Sequence, residues 1–229
     1  LQHRTGNGHV YSSEYISDDE AEAVLRANLE GEAIGPVRPL RFTTGRRLKA
    51  WSHNVVALGL SSGFLEPLES TAIHLIQSGI SRLLAFFPDK RFLAVERDEY
   101  NRLSQELYED IRDFIILHYK ATQRDDTPFW QRMQAMDVPP TLERKMALFK
   151  SRGRINREGA ELFGVTSWVA VMLGQNLWPD NYDTLADALD ADKVAQAMAG
   201  LREGYAATAA RLPAQDDFLR MAGAWGATQ

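Results

Sequence analysis

The 229 residues carry 26 Lys and Arg against 31 Asp and Glu, a formal net charge of -5, and no cysteine. Disulfides, thiolate nucleophiles and zinc–thiolate centres are therefore excluded, and mixed charge without a long basic run argues against a nucleic-acid surface. No apolar run approaches the ~18 residues of a membrane helix, and no basic-then-apolar leader opens the chain, so a cytoplasmic location without membrane contact is expected.

The chain begins on Leu1, inside strand-like material, and reads as part of a longer protein. Gly6-Asn7-Gly8 is a tight-turn signal, so residues 1–13 are expected to form a β-hairpin. His3 and Arg4 stand there as possible ligands, with surface hairpin positions as the plainer reading. Ser17-Asp18-Asp19-Glu20 has the spacing of a capping box and opens a helix to about Leu29. Leu40–Thr44 and Arg46–Trp51 read as two short strands around Gly45. The basic trio Arg46, Arg47 and Lys49 reads as a solvated turn with local ion pairs, with a cofactor phosphate as the alternative.

Val55–Leu58 is a short apolar run bounded by His53-Asn54 and Gly59, the appearance of a strand buried on both faces. Ile73, Ile76, Ile80, Leu83, Leu84 and Phe87 recur at steps of three and four, predicting an amphipathic helix that Pro88 stops. Residues 89–96 read as a loop. A further helix is predicted over 98–119, with Leu103, Leu107, Ile111, Phe114, Ile115 and Tyr119 on one face. Asp125-Asp126 is expected to cap a helix through Phe129-Trp130. Pro139-Pro140-Thr141 starts another helix, with Leu142, Met146 and Phe149 at helical spacing and Gly153 as its end. Residues 160–173 are apolar, 181–189 lead into a short helix, and 192–212 form an alanine-rich helix. The tail from Ala222 is expected to fray. The organisation is α+β: a β-containing part over 1–65, then a helical part over 66–229.

Phe64-Leu65-Glu66-Pro67-Leu68-Glu69-Ser70-Thr71 lies between the apolar strand and the predicted helix. Two carboxylates bracket Pro67 at a helix start, where backbone N–H groups lack partners and an anion could bind. Read locally, the acidic pair fits a helix cap as well as a reactive site.

Gly59 to Thr71, GLSSGFLEPLEST, resembles the flavin-dependent halogenases typified by the tryptophan halogenases. The resemblance extends over Leu1–Ser13 and Leu40–Trp51 upstream, and over Arg124–Trp130 and Ser167–Pro179 downstream. It implies the C-terminal part of a flavin-monooxygenase-like, FAD-binding fold: 1–65 completes the flavin module and 66–229 forms the substrate side. It implies an enzyme that uses FADH2, delivered by a separate flavin reductase, to install chloride or bromide on an electron-rich aromatic through hypohalous acid. Carried over by the motif, Glu69 is the essential carboxylate beside the substrate and Ser70 faces the same site. The backbone N–H groups of Thr71 and Ala72 hold the halide, and Leu60 and Ile73 contact flavin. Ala72 stands where many members have glycine, and alanine keeps the N–H.

The aromatic-rich stretch that holds the amino acid in tryptophan-specific members is replaced here by Glu161-Leu162-Phe163-Gly164-Val165-Thr166-Ser167. The substrate stays open between tryptophan, indole and a related aryl compound, with Phe163 and Trp168 as pocket candidates that also fit a core. The glycine fingerprint for FAD and the family's catalytic lysine have no match in the chain, which alone is not expected to halogenate. No metal set is expected, and a homodimer is one oligomeric option. Two alternatives stand beside this reading: a flavin-dependent monooxygenase, and a helical interaction fragment without catalysis.

Overall fold

The structure is a computed structural model and describes residues 4–224. It divides into two compact units, one spanning His9–Asn181 and the other combining Tyr182 onward with residues up to Gly8. The larger unit holds the halogenase-like motif. It opens with helix α1 (Asp18–Ala27), capped as expected: Ser17 Oγ accepts from the Glu20 amide, and the Glu20 carboxylate accepts from the Ser17 amide.

The expected hairpin does not form. Among the described residues 4–13 there is no strand, and His3 lies outside them. Side chains fasten the stretch from His9 to Tyr11 to α1 instead: His9 Nδ1 lies 3.1 Å from the Ala21 carbonyl oxygen, and the Tyr11 hydroxyl donates to Asp18 at 2.6 Å.

Four two-residue strands follow: β1 (Gly45–Arg46), β2 (Trp51–Ser52), β3 (Val55–Val56) and β4 (Gly63–Phe64). They form two antiparallel pairs, β1 with β4 and β2 with β3. Residues 40–44 are not strand, because the partner of β1 is β4 rather than its sequence neighbour. Nor is the Val55–Leu58 run buried on both faces. Only Val55 and Val56 pair, and Val55 is 63% exposed because β3 belongs to a ladder of just two strands. Gly63 is required where β4 meets β1: a Cβ there would lie 2.7 Å from the Gly45 carbonyl oxygen, which is backbone and cannot move aside. Two members of the basic cluster reach distant partners rather than local ones: Arg46 pairs with Glu109 at 3.0 Å and Arg47 donates to the Ser61 carbonyl.

Helix α2 (Ala72–Ala85) carries the expected apolar stripe, yet Ile73, Ile80, Leu84 and Phe87 are exposed. The core is built instead on the 27-residue helix α3 (Ala94–Lys120), which starts within the stretch read as loop. One cluster joins Leu65 to Leu107, Tyr108, Ile111 and Ile115 of α3. The other joins Phe114 and Leu117 to later helices: α4 (Pro128–Ala135), α5 (Pro140–Arg152) and α6 (Val165–Gly174) follow, with Leu142, Phe149, Trp168 and Met172 buried against α3. Gly153 ends α5 as expected. Asp125 and Asp126 do not cap α4. Thr127 does so through Trp130 N, because it directly precedes Pro128, the first residue of the helix, whereas Asp126 pairs with Arg124.

In the smaller unit, a 3-10 turn (Thr184–Ala188) leads into α7 (Ala191–Arg211), close to the expected span, and α8 (Gln215–Met221) follows. The fraying expected of the tail falls in part on residues 225–229, outside those described. Among the described residues no helix is long and apolar enough to cross a membrane, and no cluster of His, Asp or Glu could hold a metal ion.

Asp110 on α3 is a built-in source of pH-dependent stability. Burial, then repulsion from Glu161, raises its carboxyl from the usual 3.8 to about 6, partly offset by Lys145. Ionisation therefore works against the folded state: the penalty is absent below pH 3.8 and complete above about pH 6. Asp110→Asn is expected to stabilise the chain by about 1 kcal/mol at pH 7–8, after allowing for solvent screening, and by almost nothing at pH 4. Urea melts at the two pH values measure the difference.

Candidate functional site

The motif folds as a turn that delivers the chain from β4 into α2. Leu65 anchors it in the α3 core, and the Thr44 hydroxyl donates to the Leu65 carbonyl at 2.6 Å. The Tyr108 ring of α3 braces the same turn, its hydroxyl 2.9 Å from Ser62 Oγ and 3.2 Å from the Gly63 carbonyl. Pro67 then starts a 3-10 turn over Leu68–Ser70, closed by the Ser70 amide donating to the Pro67 carbonyl at 3.0 Å.

Glu69 and Ser70 do not open the helix itself. Both sit in left-handed backbone, with φ of 63° and 51°, and α2 starts at Ala72. Each such residue costs roughly 1–2 kcal/mol, and strain of this kind collects where a side chain must be aimed. Glu69 Oε1 lies 3.2 Å from His118 Nε2 of α3, and the Glu69 side chain is 36% exposed.

Glu66 is held by the neighbouring residue. The Tyr119 hydroxyl donates to Glu66 Oε2 at 2.5 Å, while Glu66 Oε1 is buried without a partner. Burial first, then the Glu66 carboxylate, keeps the Tyr119 phenol far above its ordinary range. Two adjacent residues at the end of α3 thus grip the two glutamates of the turn.

The start of α2 supplies donors. Thr71 is its N-cap, no side chain caps the first amides, and the first helical bond runs from the Leu75 amide to the Thr71 carbonyl. The amides of Ala72, Ile73 and His74 therefore precede the helical ladder, at the positive end of the helix dipole. Beside them is a small cavity of about 50 Å³, lined by Leu60, Thr71, Ala72, Leu75, Ile76 and Tyr108. Thr71 is buried, whereas Leu60 and Ile73 are 75% and 69% exposed. A larger open groove, about 400 Å³, runs past Lys49, Asn101 and Glu106 and does not include the motif.

Phe163 and Trp168 both belong to the aromatic core around Phe114. Phe163 is half-buried and stacks on Phe114 at 3.8 Å between ring centroids. Trp168 is 1% exposed, edge-on to Phe114 at 4.8 Å, with Lys145 Nζ 4.2 Å above its ring. The Phe114 ring also packs edge-on against His118 at 4.9 Å, so this core backs directly onto the residue that meets Glu69.

His118 carries no mark of its own in the sequence, and Tyr119 reads there only as part of an apolar helix face. The pairings span 49 and 53 positions, and no local pattern marks them. A His-Tyr pair ending a long helix was the one signal on offer.

The sequence profile described as "Tryptophan halogenase" matches residues 1–191. The tryptophan 7-halogenase RebH of Lentzea aerocolonigenes is 35% identical over 160 residues, covering 69% of this chain and 30% of RebH. A flavin-dependent halogenase from Xanthomonas campestris superposes with a TM-score of 0.89 at 48% identity, covering 92% of this chain and 43% of that one. BrvH, a flavin-dependent halogenase from Brevundimonas sp., superposes at 0.87 with 47% identity and the same coverage. The chain spans less than half the length of these relatives. With the motif, the profile and the fold in agreement, this chain belongs to the tryptophan halogenase family.

Proposed function

We propose that this chain forms the halide and substrate side of a flavin-dependent halogenase acting on an electron-rich aromatic, tryptophan, indole or a related aryl compound. The observation that carries this reading is the turn at Glu69. A carboxylate carried on left-handed backbone meets His118 of α3, and the helix that follows leaves its first amides without a side-chain cap beside a small cavity.

The residues present fit a halide and part of a flavin surface. Unpaired amides at a helix start suit a chloride or bromide, because they offer preorganised donors and a favourable dipole. Holding the halide at Thr71 and Ala72 keeps it off the Glu69 carboxylate, which lies on the preceding turn. Leu60 and Ile73 present exposed apolar side chains against which a flavin ring would lie. When bound, reduced flavin delivered by a separate reductase supplies, with oxygen, the oxidising equivalent that turns halide into hypohalous acid. The Glu69 carboxylate stabilises the positive charge that builds on the aromatic ring as halogen adds. Ser70, exposed beside it, offers a hydroxyl to the same region.

The lysine that activates the oxidant is expected from the flavin-binding half. Lys120 is committed to the Gln134 and Met136 carbonyls, and Lys145 to Glu161. The open face of α2 is the natural seat for that half, and the isolated chain is expected to be inactive.

The test is product analysis with the flavin-binding half in place, a reductase, bromide and a panel of electron-rich arenes. A brominated arene supports the reading. An oxygenated arene formed irrespective of halide would favour a monooxygenase, and no flavin turnover at all would favour a non-catalytic helical module.

A further inference from the structure

His118 stands behind Glu69 with both ring nitrogens engaged. Nδ1 lies 2.8 Å from the Phe114 carbonyl oxygen one helical turn earlier, and Nε2 lies 3.2 Å from Glu69 Oε1. A carbonyl can only accept, so Nδ1 carries hydrogen. Nε2 then faces a carboxylate oxygen, and that contact is attractive only with a proton between the two atoms. The ring is further fixed by its edge-on packing against Phe114, itself buried in the α3–α6 core.

We infer that His118 is the positioning residue of the site: it is locked to the backbone of α3 through Nδ1 and orients the Glu69 carboxylate through Nε2. The inference rests on the proposed role of Glu69. It accounts for how a glutamate in left-handed backbone, with an otherwise open side chain, keeps one direction. The turn's other glutamate has its own clamp in Tyr119, so the two α3 residues divide the task. The contact with Nε2 also keeps Glu69 Oε1 occupied, which leaves Oε2 to face the reacting ring.

Two substitutions separate the two nitrogens. The amide nitrogen of Asn mimics Nδ1 and that of Gln mimics Nε2, so His118→Asn keeps the anchor and loses the reach, whereas His118→Gln restores a donor to Glu69. In the holoenzyme, the Asn variant is expected to lose about 30-fold in kcat for halogenated product, because small misplacement of a reacting group costs on the order of 10- to 100-fold. Its KM for the arene and its rate of flavin oxidation in bromide should stay within about two-fold of wild type. The Gln variant should recover most of kcat. Equal kcat in the two variants, both folded as wild type by circular dichroism, would overturn the inference, as would flavin oxidation falling in step with product. Absence of halogenated product from the wild-type enzyme would instead overturn the functional reading on which the inference rests.

Discussion

Glu69→Gln is expected to cut formation of halogenated arene by roughly 10²- to 10³-fold, the scale seen when a preorganised transition-state contact is lost. Flavin oxidation in the presence of halide should be nearly unchanged. The two readouts should separate because the two groups occupy different parts of the turn. The amides of Thr71 and Ala72 belong to the start of α2, and the Glu69 side chain leaves from the turn before it, at the first of two left-handed residues. Gln is nearly isosteric and keeps the φ of 63° no worse than Glu, so the turn should survive while the negative charge is gone. Parallel product and flavin-oxidation assays on one enzyme preparation measure the effect. Equal loss of both would mean that Glu69 shapes the flavin or halide site rather than acting on the ring.

Trp168→Ala is expected to destabilise the chain by about 3–5 kcal/mol, the range for deleting a fully buried aromatic. For a chain of this size that corresponds to a fall in melting temperature of roughly 6–20 °C. Trp168 is 1% exposed, lies edge-on to Phe114 and carries Lys145 over its ring, so truncation leaves a void that helices on several sides cannot close. Thermal unfolding monitored by circular dichroism measures it. A substrate-contact role would give the opposite pattern, with unchanged melting temperature and a raised KM for the arene. Phe163 stacks on the same ring but is only half-buried, so it remains the better of the two for contact with a ligand.

How much of this was legible beforehand follows from the range of each signal. The capping box at Ser17 and Glu20, the stop at Gly153 and the helix over Pro140–Arg152 depend on neighbours a few positions apart, and they form as read. Sheet pairing depends on distant partners. Leu40–Thr44 and Arg46–Trp51 read as two strands around Gly45, yet only Gly45-Arg46 and Trp51-Ser52 are strand, paired with Gly63-Phe64 and Val55-Val56, and the apolar Val55–Leu58 run contributes just one strand of a two-stranded ladder. The motif could be matched residue by residue, but its backbone could not: nothing local says that Glu69 and Ser70 turn left-handed before α2 begins. The clamp residues His118 and Tyr119 were invisible for the same reason, since only the folded α3 brings them back across about fifty positions to the turn.

The most direct measurement is the anomalous scattering of bromide in crystals of the enzyme assembled with its flavin-binding half. The account predicts a bromide peak within hydrogen-bonding distance of the Thr71 and Ala72 amides, in the cavity bounded by Leu60 and Tyr108, and clear of the Glu69 carboxylate. Bromide ordered only elsewhere, with those two amides bonded to protein atoms, would contradict it.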